Sequence, residues 1–353
     1  MSIVFGPVPS RRLGQSLGID PIPFKTCNYN CVYCQLGRTT PLTNERKDFF
    51  PPQDIVAEVR AAMMSMGDRH VDKPANTVDK QGASGGKQED ISVDKLVTPV
   101  DKTNQIDYIT FVGQGEPLLC ASLGRLIREV KVLTAIPVAV ITNGSLFHLP
   151  DVRETLRAAD VVIPTLDAVD EDTFRRINRP WPRLHIAEII DGLIAFRKIF
   201  NGRLWVEVML VKGVNDTRTV LAGIADTLKQ IRPDQVHLNI PLRPPAEAWV
   251  EPPDSQNIMR AITILGEVAP IVTPAEGDFK LANDMSLAEA VIEIIRRHPL
   301  QETQLLETLD DYGIEQVQTT LQALTLSGQA RQHIYRGEIF WEYAGGKFAT
   351  KGQ

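Results

Sequence analysis

Apolar, β-branched runs alternate along this chain with stretches of helical period, and that alternation limits the fold more than any other feature. Strand-like segments fall at 16–24, 107–113, 137–142, 160–167, 204–212 and 235–241. Helix-like stretches at 54–65, 118–132, 151–158, 185–200 and 217–231 lie between them. Strands separated by helices of this length cannot pair as hairpins; they lie parallel, with the helices packed outside. Six such units predict an α/β fold built as a full or partial barrel of the TIM type, a partial (β/α)6 barrel being the leading form. Chemistry in such folds sits at the C-terminal ends of the strands. A cysteine-rich loop follows the first segment, and the polar runs 113–117, 142–145 and 165–167 follow later ones.

Two regions depart from the rhythm. From about 68 to 104 the chain is polar, and Val-Asp-Lys recurs at Val71, Val78, Val93 and Val100 with irregular spacing. This is no solenoid repeat; it reads as a disordered surface insertion in a barrel domain spanning 1–280. Past Asp284 three short helices are predicted at 286–297, 301–309 and 314–327. A hairpin, 329–334 with 338–343, turns at Arg336-Gly337. Together they predict a winged-helix-like domain at 284–345. Its third helix holds no Lys or Arg, and the tail from Asp284 carries ten acidic against six basic residues. That balance argues against DNA readout and for a protein-contact or structural role, leaving Arg331 and Arg336 as phosphate contacts.

Charge and composition exclude other classes. A formal charge of −6 gives no bulk attraction to nucleic acid. No apolar run is long enough to span a bilayer, and the N-terminus lacks a signal-peptide layout. Only four cysteines are present, which argues against a disulfide scaffold and for a reducing cytoplasm. Three of them, Cys27, Cys31 and Cys34, crowd into eight residues at C-x3-C-x2-C spacing. Such a loop lets soft thiolates converge on a metal centre, with iron–sulfur, zinc and Cu(I) as candidates. A zinc knuckle needs a fourth ligand, and no histidine lies nearby in sequence. Three ligands leave one iron of a four-iron cluster open.

The cysteine loop, with Tyr33 just before the last cysteine, resembles the signature of the radical S-adenosylmethionine (SAM) superfamily. The run Gly113-Gln114-Gly115-Glu116-Pro117 resembles its Gly-Gly-Glu-Pro segment. The resemblance covers roughly residues 1–275. It implies one [4Fe-4S] cluster on the three cysteines, with the methionine part of SAM on the open iron. It further implies reductive cleavage to a 5′-deoxyadenosyl radical, fed by a flavodoxin- or ferredoxin-type donor. Gly113–Pro117 would receive the SAM amino group through backbone carbonyls and Glu116. Asn143 and Ser145 would meet the carboxylate or ribose, Thr165 and Asp167 the ribose hydroxyls or the carboxylate, and Val211 and Tyr33 the adenine. No catalytic residue is singled out.

The opening Gly-Pro-Val-Pro-Ser-Arg-Arg-Leu-Gly and Cys34-Gln-Leu-Gly resemble an uncharacterised group of "Fe–S oxidoreductases" loosely related to wyosine-synthase-type enzymes. Cys120 alone remains after the triad, so a second cluster is not expected; Cys120 itself reads as a small buried residue. Arg11, Arg12, Arg179 and Arg243 are candidate anion contacts at the barrel mouth. Glu207 and His237 read as polar residues satisfied inside the barrel. The leading expectation for the substrate is RNA or protein recognised partly by the tail. The alternatives are a small molecule, with the tail used for dimerisation, and an iron–sulfur DNA-binding sensor.

Overall fold

The computed structural model describes residues 2–10, 12–66, 106–266 and 285–348. The expected insertion at 68–104, the boundary at 280–284 and Arg11 lie outside the described residues.

The alternation folds as its period requires. Seven strands form one sheet in sequence order: β1 (Val4–Ser10), β2 (Gly14–Ile19), β3 (Tyr108–Phe111), β4 (Val138–Thr142), β5 (Val161–Pro164), β6 (Arg203–Met209) and β7 (Gln235–Asn239). Strands β2 to β7 are parallel. Strand β5 is buried throughout, and β3 and β4 nearly so, as parallel strands covered on both faces should be. The crossovers carry α1 (Pro52–Ser65), α2 (Leu123–Leu133), α3 (Pro150–Leu156), α4 (Glu171–Ile177), α5 (Ile186–Ile199), α6 (Arg218–Ile231) and, after β7, α7 (Ser255–Leu265). Leu126, Ile127, Phe196 and Leu221 pack these helices on the sheet.

Sequence reading missed β1, which pairs antiparallel with β2 from Val4↔Ile19 to Ser10↔Gly14. Pro7 and Pro9 argue against a strand because they lack N–H donors, but β1 is an edge strand with one unpaired side. The short helix α4 was also missed; its start is the Asp170 side chain accepting from Thr173 N at 2.8 Å. Helix α7 starts in the same way at Asp254.

The tail forms α8 (Leu287–Arg297), β8 (Leu300–Gln301), α9 (Glu302–Thr308), α10 (Ile314–Leu326), β9 (Ala330–Tyr335) and β10 (Glu338–Tyr343). Its sheet runs β8-β10-β9, all antiparallel. Ser286 and Glu289 form a capping box at the start of α8. A separate apolar cluster of Val291, Ile294, Leu305, Leu321 and Trp341 holds this module together.

The module sits against the sheet. The Arg297 guanidinium lies 4.3 Å from the Phe5 ring on β1 and donates to Ser2 O. Arg296 donates to Gln114 Oε1 at 3.1 Å, and Tyr335 Oη to Pro241 O at 2.9 Å. Residues of β2, β3, β4, β6 and β7 line a cavity of about 510 Å³, and α8, β8 and α9 line it too through Arg297, Leu300 and Gln304. No helix among the described residues is long and apolar enough to cross a membrane.

Candidate functional site

The loop after β2 is clamped from both sides. On one side Lys25 N donates to Gln114 O at 2.7 Å and Glu116 N to Thr26 O at 2.9 Å. On the other, Asn30 N donates to Asn178 O and Val32 N to Ile177 O. Both clamps are backbone pairs, so the loop presents its cysteines independently of side-chain rotamers. Gly115 makes the first clamp possible: a Cβ there would stand 1.9 Å from Thr26 O.

All three loop cysteines are half-buried, and each sulfur has an N–H donor. Cys27 Sγ accepts from Tyr29 N at 3.4 Å and Asn143 Nδ2 at 3.6 Å. Cys31 Sγ accepts from Asn178 Nδ2 at 3.7 Å, and Cys34 Sγ from Lys25 Nζ at 3.2 Å. Lys25 also donates to Gly37 O at 2.7 Å. Burial pushes the Cys27 thiol up to about 12, with the Glu116 charge adding to it. Burial likewise holds Cys31 well above the usual thiol range. A bound cation reverses that balance, since a coordinating thiol is deprotonated outright. Among the described residues, no three of His, Cys, Asp or Glu gather closely enough to hold a single metal ion. A four-iron cluster asks for something different, with each thiolate on its own iron.

Around the loop the strand ends are cross-braced. Glu116 is fully buried; Oε1 accepts from Leu118 N and Thr142 Oγ1, and Oε2 from Asn143 N at 2.7 Å. Burial raises its carboxyl to about 7 against the pull of those bonds. Asp167 Oδ2 accepts from Tyr33 Oη and Asn178 Nδ2, and Oδ1 from Met209 N. Burial raises it to about 6. Asn215 ties β5 to β6 by donating to Asp167 O and Met209 O while accepting from Val211 N.

Residues 75–222 match the Radical SAM superfamily, a span that begins beyond the cysteine loop. The UPF0026 protein of Methanocaldococcus jannaschii is 33% identical over 348 residues, covering 97% of this chain and 96% of its own. The chain is a radical SAM enzyme of the UPF0026 family. The UPF0026 protein of Helicobacter pylori strain J99 is 30% identical across 91% of this chain and 92% of its own. Among solved structures, TYW1 with a lysine-pyruvate adduct bound covers 94% of this chain and 80% of that one, at 13% identity and a TM-score of 0.42.

This UPF0026 enzyme accordingly uses a [4Fe-4S] cluster and SAM and needs an electron donor. The donor set fits: three soft thiolates on one loop, each sulfur facing an N–H. Cys27, Cys31 and Cys34 could hold the cluster. The turn Gly113–Pro117 packs directly beside them, and Asn143 reaches Cys27 itself.

The other expected SAM contacts are placed differently from one another. Tyr33 and Asp167 are bonded to each other. Ser145 is fully buried, with Oγ donating to Asn28 Oδ1 at 3.0 Å and accepting from Asn28 Nδ2. Val211 packs in the core. Thr165 bridges to Glu207 at the end of β5. Gln114 is buried and bonded to Arg296.

The arginines expected at the mouth are engaged as well. Arg12 pairs with Glu207, Arg179 pairs with Glu247, and Arg243 donates to Gln35 Oε1. Glu207 is satisfied as expected, but His237 Nε2 is buried without a partner. Burial, with Arg12 beside it, lowers His237 to about 4 and keeps it neutral. Cys120 is buried in the core, though just after a 3₁₀ turn rather than on a helix.

Lys25, two residues before Cys27, meets the Cys34 sulfur, a contact that sequence reading passed over. A cation donating to a cluster thiolate favours the reduced, more negative state. Lys25→Met should lower the cluster midpoint by about 60 mV, a tenfold change for one electron. An EPR-monitored redox titration reads this, and an unmoved midpoint removes Lys25 from that role.

Proposed function

We propose that the enzyme cleaves SAM reductively at a single [4Fe-4S] cluster held by Cys27, Cys31 and Cys34. The observation that carries the reading is the loop itself, with three thiolates clamped beside Gly113–Pro117 and each sulfur met by an N–H. A single cluster is supported by the cysteine count, since the fourth, Cys120, is buried in the core.

When bound, the cluster and SAM together supply one-electron cleavage of the sulfonium to methionine and a 5′-deoxyadenosyl radical. The chain's own residues do the holding. Gly113 and Gly115, which carry no side chain, let the 113–117 turn pack close to the cysteine loop, where its backbone would receive the methionine moiety. Glu116 fixes the Thr142–Asn143 turn, whose Asn143 faces Cys27. Asp167, bonded to Tyr33 and Asn178, sets the wall against which the nucleoside would lie. The seven-stranded sheet with strand-end chemistry is read as a partial barrel of the radical SAM type, in a domain of 1–280. A flavodoxin- or ferredoxin-type donor and a cytoplasmic setting follow from the need for low-potential electrons and from four free cysteines.

The order α8-β8-α9-α10-β9-β10 reads as a winged-helix domain at 284–345. Its α10, the element that would enter a groove, carries no basic residue. We assign it to closing the cavity beside β1 and favour a small-molecule substrate over RNA or protein. Anaerobic reconstitution followed by dithionite reduction with SAM should release 5′-deoxyadenosine, measured by liquid chromatography–mass spectrometry. Chain loaded with about four irons that releases none overturns the assignment.

A further inference from the structure

We infer that the C-terminal module belongs to the cluster site, and that Arg296 is the positioning residue through which it holds the 113–117 turn. The link to SAM rests on the radical SAM reading above; the placement of the turn does not.

The module grips the cysteine loop on both sides of the triad. Before it, the Phe24 ring meets the Tyr343 ring edge-on, with centroids 5.6 Å apart and planes at 88°. After it, Arg38 N donates to Lys347 O, and Gln35 Nε2 donates to Arg297 O at 3.0 Å. Gly37, at φ +82°, passes so close to Lys347 that a Cβ would stand 2.6 Å from Lys347 O. The contacts at Gly37 and Arg38 are backbone against backbone, so they fix the path of the loop and not a rotamer.

Arg296 carries this grip across to the turn. Its guanidinium lies 5.2 Å from the centre of the Phe24 ring and 5.1 Å from that of Tyr343. A planar, delocalised cation is attracted to aromatic faces, and two rings leave it little freedom. Held there, Nε donates to Gln114 Oε1 at 3.1 Å. Arginine can only donate, so the amide oxygen of Gln114 is the atom that faces the tail.

Gln114 is 4% exposed and tethered from three segments. Its carbonyl accepts from Lys25 N at 2.7 Å in the cysteine loop. Its N–H donates to Asp20 Oδ2 at 3.2 Å beyond β2, and its side chain meets Arg296 on α8. Gly113 and Gly115 on either side have no side chain to hold, so residue 114 is where the tail can anchor this half of the turn. Without Arg296 the turn loses one of three tethers, and the Lys25 N–Gln114 O and Glu116 N–Thr26 O bonds open more often. The donors to the three sulfurs are Lys25, Tyr29, Asn143 and Asn178, so those bonds stay in place.

The first test is hydrogen–deuterium exchange by mass spectrometry on the full-length chain as purified. Arg296→Met should speed exchange about fivefold in peptides covering 25–26 and 114–116 while α5 and α6 keep their wild-type rates. Gln114→Met, which leaves the stack of Phe24, Arg296 and Tyr343 intact, should do the same at 25–26, and the double variant should add less than about twofold. Gln114→Met carries the test if Arg296→Met does not fold. After anaerobic reconstitution, Arg296→Met should match the wild type in iron content and raise KM for SAM about fivefold with kcat within about twofold. Unchanged exchange at 25–26 and 114–116 overturns the inference. Exchange that quickens equally along the whole chain does too, as does an unaltered KM in a variant whose turn has loosened. A wild type that takes up iron and sulfide but cleaves no SAM removes the radical reading, and the exchange rates then decide the placement of the turn by themselves.

Discussion

Replacing Cys27, Cys31 and Cys34 together by alanine is expected to abolish iron–sulfur incorporation and reduce SAM cleavage to background. In the proposed cluster each thiolate serves a different iron, so no residual pair can substitute for the set. Cys120 cannot move in, because it is buried among core side chains beyond the loop. The fold should survive: the loop is clamped by backbone bonds at Lys25, Thr26, Asn30 and Val32, none of which passes through a cysteine side chain. Iron and sulfide analysis, visible charge-transfer absorbance and circular dichroism on the same sample check this together. A triple variant that still binds iron and sulfide in stoichiometric amounts rules out the cysteine loop as the site.

Gly115→Ala is expected to destabilise the chain by about 3 kcal/mol and to weaken cluster loading as well. The added Cβ would lie 1.9 Å from Thr26 O, 2.6 Å from Thr26 C and 3.0 Å from Ile22 Cδ1. The first two are backbone atoms and cannot rotate away. Relief requires separating 113–117 from the cysteine loop, which breaks the Glu116 N to Thr26 O bond and displaces Cys27, the next residue along. Urea denaturation measures the stability loss, and iron content after reconstitution measures the second effect. A loss under about 0.5 kcal/mol, the range of surface changes, would show that the two segments are not in tight contact.

Much of the scaffold was legible because it is locally encoded. Helices α5 and α6 and strands β4 and β7 follow from periodicity and the residues at their ends, as do the three helices and the hairpin of the tail, though not the short strand β8 between α8 and α9. Strand β1 was not, because its prolines are acceptable only where one side of the strand goes unpaired, and an edge position is a property of the whole sheet. The cysteine loop and Gly113–Pro117 were legible as short motifs. Their partners were not. Tyr33 and Asp167 were each read as facing a nucleoside, and nothing local told that they are bonded to each other across 134 residues. Arg12 and Arg179 were read as anion contacts at the mouth, yet each is paired with a buried glutamate, Glu207 and Glu247.

By itself the sequence determined the α/β alternation, the thiolate triad, the glycine-lined turn and the absence of a basic face on α10. These depend on neighbours within a few residues, where chain geometry leaves few choices. Only the tertiary structure decided that Lys25 meets Cys34, that Glu116 braces β4, and that the tail walls the cavity beside β1. Those arrangements join residues as far apart as Ser2 and Arg297. A side chain's partner at that distance is set by the packing of the whole chain, which no local spacing records.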